Sequence, residues 1–404
     1  MKMTVILGAN QVLSHGFGVF LFAAMFPFMR DTLGLTHWHL AAVGIATQIA
    51  YLSGALSVGF LGRHFTPEKL ILITGAGSSI LLLFLSFTSS PLLLIVALSL
   101  LAFSAAVCWS GIVGLISQHV AGDKAAMSLA AAGSGTAWGY GINGLILIWW
   151  VPVWGWQSAG IMVSGVGAAV ALVTVQMMRS LPIASASAPN CALSESETTV
   201  LSTRQLLRAF LTERRAFLSC LIYFLIGLSC ISFSSWLNTY LDELGQSDSL
   251  AGPTWTMLGV SGMVAGISAG WLADRKGHAT ALLIMSLGFG IGLAAFVYDP
   301  VEYALVAGAG YGLMYFPVWG IVSSWVAQRY SPIATMQLSG LGMVASALGG
   351  SAGNLAAGYI QNLTGSLALL YLVLALAGVA MVCVTGFMAW QQQRGADAFG
   401  LCRS

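Results

Sequence analysis

Stretches of about twenty mostly apolar residues recur from one end of this chain to the other, and that recurrence limits its fold more than any motif does. A helix needs about 20 such residues to cross the roughly 30 Å hydrocarbon layer of a bilayer, where the backbone must satisfy its own hydrogen bonds. Only 7% of the 404 residues are charged and the mean hydropathy is +0.87, so water is not the main solvent of this fold. Small residues let membrane helices approach closely. Gly262, Gly266 and Gly270 repeat the required spacing, and Gly133, Gly135, Gly139 and Gly141 crowd another helix.

The apolar pattern predicts spans over Val5 to Met29, Trp38 to Leu61, Lys69 to Thr88, Pro91 to Gln118, Lys124 to Val151 and Trp156 to Met178. A second set is predicted over Ala216 to Leu241, Leu250 to Leu272, Ala279 to Tyr298, Val301 to Gln328, Ile333 to Gln361 and Ser366 to Trp390. Between the sets, the polar SASAP and SESETT stretches have linker composition, and LLRAFLTERR reads as a short surface helix. The expected organisation is a six-helix bundle over residues 1–180, a cytoplasmic linker over 181–215 and a second six-helix bundle over 216–404.

Basic residues accumulate in cytoplasmic loops. With the N-terminus inside, fourteen of the fifteen lysines and arginines fall on the inner side and Arg30 alone falls outside. An even number of crossings with both termini cytoplasmic is therefore expected, in an inner (plasma) membrane. Trp149, Trp150, Trp154 and Trp156, and likewise Trp236 and Tyr240, then fall at the outer interface, where amphipathic rings are favoured. The N-terminal segment reads as a retained first span. Net charge is only +2, which speaks against nucleic acid as a partner, and the six cysteines form no CxxC pair. No metal, cofactor or disulfide framework is implied.

The two sets are related. Asp31 in DTLGLT and Asp242 in DELGQS lie 211 residues apart, and the same offset pairs Gly34 with Gly245, Gly59 with Gly270, Ser128 with Ser339, Gly139 with Gly350 and Asn143 with Asn354. A duplicated six-helix unit follows. GWLADRKGH, from Gly270 to His278, resembles the loop signature of the major facilitator superfamily, which follows the second helix of each half. The helix number, linker, duplication and the NLTGS run from Asn362 to Ser366 extend the resemblance over essentially the whole chain.

The resemblance implies an all-α membrane protein of twelve transmembrane helices in two pseudo-symmetric six-helix bundles, acting as a monomer. It also implies a cytoplasmic gate. Asp274 would face a helix N-terminus of the other half, with Arg275 in the same charge network and Gly277 in the loop. In the first half GFLGRHFTPEK places Arg63 where the family has aspartate, so Arg63 is either a gate residue or a marker of the cytoplasmic face. The fifth helix, AAAGSGTAWGYGING, lacks the Gly-Pro pair of many proton-coupled antiporters. The first helix is similar to bacterial members with a GFGRF pattern, but Val19 replaces their arginine and its anion-binding role does not carry over.

Solutes in this architecture bind near the midplane. Gln11, Ser14 and His15 fall on one face of the first helix. His15 is the only histidine placed deep in a span, and its ordinary pKa of about 6.5 suits proton exchange. The competing reading is a neutral imidazole that ties helices together. Asn143 and Asn354 either clamp helices or bind solute. Tyr311, Tyr315 and Trp319 form a stripe that either packs or stacks on solute, with Trp109 and Trp138 as further candidates. No Asp, Glu, Lys or Arg falls near a span midpoint.

The expected activity is secondary transport of a small, neutral or weakly charged organic solute, with protons as a candidate coupling ion and the lipid bilayer as the surrounding partner. A nontransporting solute sensor on the same fold is the alternative. An integral membrane enzyme is a more distant one, since no HExxH motif or intramembrane carboxylate pair occurs. An ATP-driven pump lacks its GxxxxGK[ST] loop.

Overall fold

A computed structural model describes residues 2–62, 64–120, 122–180, 203–330 and 332–400. Ten helical runs among them are long and apolar enough to cross a membrane. One of these, Ser128–Ser180, contains two crossings separated at Gly155, where φ is 76°. The less apolar helix Pro332–Thr364 completes the twelve among the described residues. In order they are residues 2–33, His37–Leu61, Pro67–Phe87, Pro91–His119, 122–154, 156–180, Arg214–Glu243, 247–276, His278–Tyr298, Ala304–Ala327, Pro332–Thr364 and Ala368–Gly400. A linker helix, Thr203–Thr212, precedes the seventh.

Gly155 turns the chain between the fifth and sixth helices in a region of backbone space open almost only to glycine. A Cβ there would meet only Gln157 Oε1 at 3.5 Å, an ordinary contact. Gly155→Ala is therefore expected to cost about 1–3 kcal/mol through backbone strain alone, read as a lower apparent Tm of the purified protein. An unchanged Tm would show that the turn adopts another conformation.

By internal contacts the chain forms two compact units. The first comprises Met1–Cys191 with Ser234–Val260 and Asn354–Leu367; the second comprises Ala192–Phe233, Ser261–Gly353 and Ala368–Ser404. In the first unit the second helix packs on the fourth, the third on the fourth and sixth, and the first on the fifth. Buried Leu7, Ile71, Cys108, Ile112, Leu115, Ile116, Ala132 and Met177 form a continuous apolar cluster. Asn10 donates to Thr174 Oγ1 at 2.8 Å and Ser164 to the Ser79 carbonyl at 2.8 Å, so polar bonds tie the sixth helix to the first and third. In the second unit the ninth helix packs on the tenth and twelfth, where Ser286 and Thr385 hydroxyls meet at 2.7 Å.

The duplication is visible in the contacts. A Cβ on Gly16 would collide with the Gly139 backbone, and one on Gly227 would collide with the backbone of Ser346 and Gly350. Gly16 and Gly227, like Gly139 and Gly350, are 211 residues apart. Both close crossings fall at wide π-helical turns, Val12–Phe20 and Gly227–Ile231. The third–sixth crossing repeats as well: Gly167 meets Ser79, and Gly378 meets Gly290 at 3.6 Å, again at the same offset.

The glycine-spaced stripe of the eighth helix behaves differently from expectation. Gly262 packs under the Phe316 ring, but Gly266 and Gly270 have none of the described residues within 4 Å of a Cβ position. On the fifth helix all four glycines are in use. Gly133 meets Trp109, Gly135 the Gly8 carbonyl, Gly139 meets Gly16, and Gly141 lies against Gly259.

Candidate functional site

The first helix carries a buried polar face in the first unit. Asn10, Gln11, Ser14 and His15 are all under a tenth exposed. The wide turn matters here because it brings Gly16 against Gly139 and leaves the Gly16 carbonyl able to accept from Asn143 Nδ2 at 2.8 Å. Gln11 Nε2 donates to Thr136 Oγ1 at 3.2 Å. The buried Gln11 Oε1 and Asn143 Oδ1 accept nothing from the described residues.

His15 lies between two hydroxyls. Its Nδ1 is 3.2 Å from Ser14 Oγ and its Nε2 is 3.1 Å from the Tyr51 hydroxyl, with the two rings edge to face at 5.7 Å. A hydroxyl can donate or accept. Both ring nitrogens can therefore keep a partner whether the imidazole is neutral or protonated, after rotation of the two O–H groups. Tyr51, on the second helix, is missed by the sequence reading. Its one signal there is that it is the sole tyrosine of that span.

At the end of the first unit away from Lys2, parts of the seventh, eighth and eleventh helices meet the first, second and fifth. Tyr140 stacks on Trp255 with centroids 5.0 Å apart. Trp255 Nε1 donates to Asn238 Oδ1 at 2.8 Å, and Asn238 Nδ2 donates to the Ala24 carbonyl. Asn354 sits over Gly44 and accepts from Trp236 Nε1 at 2.9 Å, while His37 stacks on Trp236. Arg30 and Asp242 form an ion pair at 2.9 Å. Trp236 and Tyr240 are thus buried, at 0% and 6% exposure, and are not the interfacial anchors expected. The Asn354 acceptor explains Trp236, since a buried indole N–H needs a partner.

In the second unit Tyr311 is fully buried against Phe233, Phe289 and Tyr315. Tyr315 and Trp319 are half-exposed and meet edge to face at 6.3 Å. Tyr223 of the seventh helix stacks on Trp319 at 5.0 Å, and its hydroxyl reaches Ser323 Oγ at 3.2 Å, which in turn reaches Ser339 Oγ at 3.2 Å. Tyr223 is a second residue the sequence reading misses. Of the remaining candidates, Trp109 is half-buried against Gly133 and the Leu7 cluster, and Trp138 is 54% exposed.

Asp274 and Arg275 are exposed, with the Arg275 guanidinium 4.5 Å over the Trp271 ring. Gly277, at φ 90°, opens the ninth helix under the Gln392 side chain, which accepts from Ala279 N at 3.2 Å and donates to the Lys276 carbonyl at 2.9 Å. Arg63 lies outside the described residues. Among the described residues no three His, Cys, Asp or Glu side chains cluster in a way that could hold a metal ion.

The comparisons agree with this architecture. The family model for the Major Facilitator Superfamily matches residues 11–354. A Pseudomonas putida protein named as a gallate transporter is 24% identical over 289 residues, covering 66% of this chain; the match spans 64% of that protein's own length. Two solved structures of the nucleoside transporter NupG share the fold: one of a point mutant, at TM-score 0.75 and 16% identity, and one of NupG itself, at 0.71 and 15%. Each alignment covers 96% of this chain and 99% of the solved one.

Proposed function

This chain belongs to the major facilitator superfamily, and from that premise we propose that it is a secondary transporter of a small, neutral or weakly charged organic solute, with His15 as its proton carrier. Alternating access in such proteins comes from rocking one repeat against the other. The observation that carries the reading is the buried face of the first helix, where His15 sits between two hydroxyls and no Asp, Glu, Lys or Arg stands mid-span among the described residues.

An ionisable group at that depth is costly unless it is used. Gln11 Oε1 and Asn143 Oδ1 are buried acceptors that a hydroxyl or amine of a solute would satisfy. Half-exposed Tyr315 and Trp319, with Tyr223 behind, offer ring faces for stacking. The gate roles of Asp274, Arg275, Gly277 and Arg63 are proposed on family grounds. The charge distribution supports a cytoplasmic position for both termini, which makes the Tyr140–Trp255 and Asn354–Gly44 contacts an outer seal.

The test is uptake into proteoliposomes under an imposed pH gradient, with gallate, the solute in the relative's name, beside uncharged ring compounds. Concentrative uptake of an uncharged compound, abolished by a protonophore, is the expected result. Accumulation of gallate alone would overturn the neutral-solute reading, and tight binding without flux would favour a sensor.

A further inference from the structure

The linker helix Thr203–Thr212 ends one residue before the seventh membrane helix starts at Arg214. Its depth is therefore set by the bilayer surface. Phe217, in the first turn of that membrane helix, is 45% exposed on the protein exterior, and the Phe210 ring of the linker helix packs on it at 5.7 Å. Ala209 is buried on the same side. The linker helix thus continues the lipid-facing flank of the seventh helix rather than standing off into water. Leu211, beside Phe210, is 70% exposed, which is unfavourable in water and natural at a hydrocarbon boundary.

Arg208 is exposed one turn before Leu211. The exposed Arg214 guanidinium rests 4.2 Å over Phe387, a partly exposed ring of the twelfth helix, and donates to the Gln391 side-chain oxygen. Arg215 gives one N–H to the Trp325 carbonyl at 3.2 Å, and Arg329 is exposed nearby. The one acidic side chain between Arg208 and Arg215, Glu213, accepts from the Tyr330 hydroxyl at 2.6 Å. Burial first, then that bond, pushes the Tyr330 phenol up to about 12, so Glu213 keeps its donor through the neutral range. Exposed Arg208, with Arg214 held over an apolar ring and bonded to Gln391, presents guanidinium groups beside the start of the seventh helix, and that chemistry matches a phosphodiester.

We propose that the linker helix is an in-plane membrane anchor and that Arg208 and Arg214, backed by Arg215 and Arg329, form a binding site for the headgroup of an anionic phospholipid. The site is independent of the transported solute. It ties the segment joining the two six-helix repeats to the lipid composition of the leaflet.

The test measures apparent Tm of the full-length protein in detergent with added phosphatidylglycerol, phosphatidylcholine or inorganic phosphate. Phosphatidylglycerol should raise Tm by roughly 3 °C more than phosphatidylcholine does, and inorganic phosphate should not reproduce the rise. R208Q/R214Q should abolish the difference between the lipids, and Leu211→Asn, which leaves every arginine in place, should reduce it. Native mass spectrometry should show phosphatidylglycerol retained by the wild type and lost from R208Q. Equal stabilisation of the wild type by both lipids would overturn the site whatever the variants do. An equal effect of inorganic phosphate would make it a small-anion site and overturn the lipid assignment, and an unaltered Leu211→Asn would overturn the anchor.

Discussion

Gly16→Ala and Gly227→Ala should each destabilise the protein by about 3 kcal/mol or more, whereas Gly165→Ala and Gly77→Ala should leave it unchanged or stabilise it by up to about 1 kcal/mol. The first two positions face backbone. A methyl on Gly16 points into Gly139, and one on Gly227 into Ser346 and Gly350, while Gly165 and Gly77 have none of the described residues within 4 Å. A flexible side chain could rotate away, but backbone can yield only by parting the helices, and overpacking typically costs about 1–3 kcal/mol even where rotamers give way. Parting the first and fifth helices also stretches the 2.8 Å bond from Asn143 to the Gly16 carbonyl. Two buried polar groups would then lose their partner, at about 1–3 kcal/mol for each group left unsatisfied. The measurement is thermal unfolding of the four variants in one detergent. Matched losses at Gly16 and Gly227 would tie the repeat to stability; a loss in one half only would mean that the second π turn is not an energetic counterpart of the first.

This symmetry was largely legible in the sequence, for a physical reason. Crossing a bilayer demands runs of fixed length and polarity, so helix number can be read directly, and duplicated glycines keep their offset because backbone contact tolerates no substitute; most of the expected linker lies outside the described residues. The glycine crowd on the fifth helix and the lone mid-span histidine stand out on the same grounds. Spacing does not say what lies opposite, however. Gly262, Gly266 and Gly270 share one pattern, yet only Gly262 meets a neighbour, the Phe316 ring. Aromatic residues near a helix end have two fates in a membrane protein, and Trp236 took the buried one because Asn354, over a hundred residues away, supplies an acceptor. Tyr51, Tyr223, Asn238 and Trp255 were missed for the same reason. Each matters through a partner on another helix, and single-helix periodicity carries no such information.

His15→Gln should reduce proton-driven accumulation to simple equilibration while leaving solute counterflow in place. Glutamine retains a donor and an acceptor, so it can still meet Ser14 or Tyr51, but it cannot carry a proton through a transport cycle. Tyr51→Phe separates the two parts of the site. It removes one hydroxyl, 3.1 Å from Nε2, and leaves the imidazole in place, so accumulation should persist with a displaced pH dependence if His15 carries the proton. Replacement by alanine is less informative, because it empties the buried space that the imidazole fills and removes both of its hydroxyl contacts, mixing folding with transport. Uptake, counterflow and pH profile should therefore be measured on the same reconstituted preparations. If His15→Gln concentrates solute as the wild type does, the imidazole is a neutral brace between the first and second helices, and proton coupling through His15 is ruled out. If counterflow is lost along with accumulation, His15 belongs to solute binding or to the conformational change itself, and the hydroxyl pair around it serves that role instead.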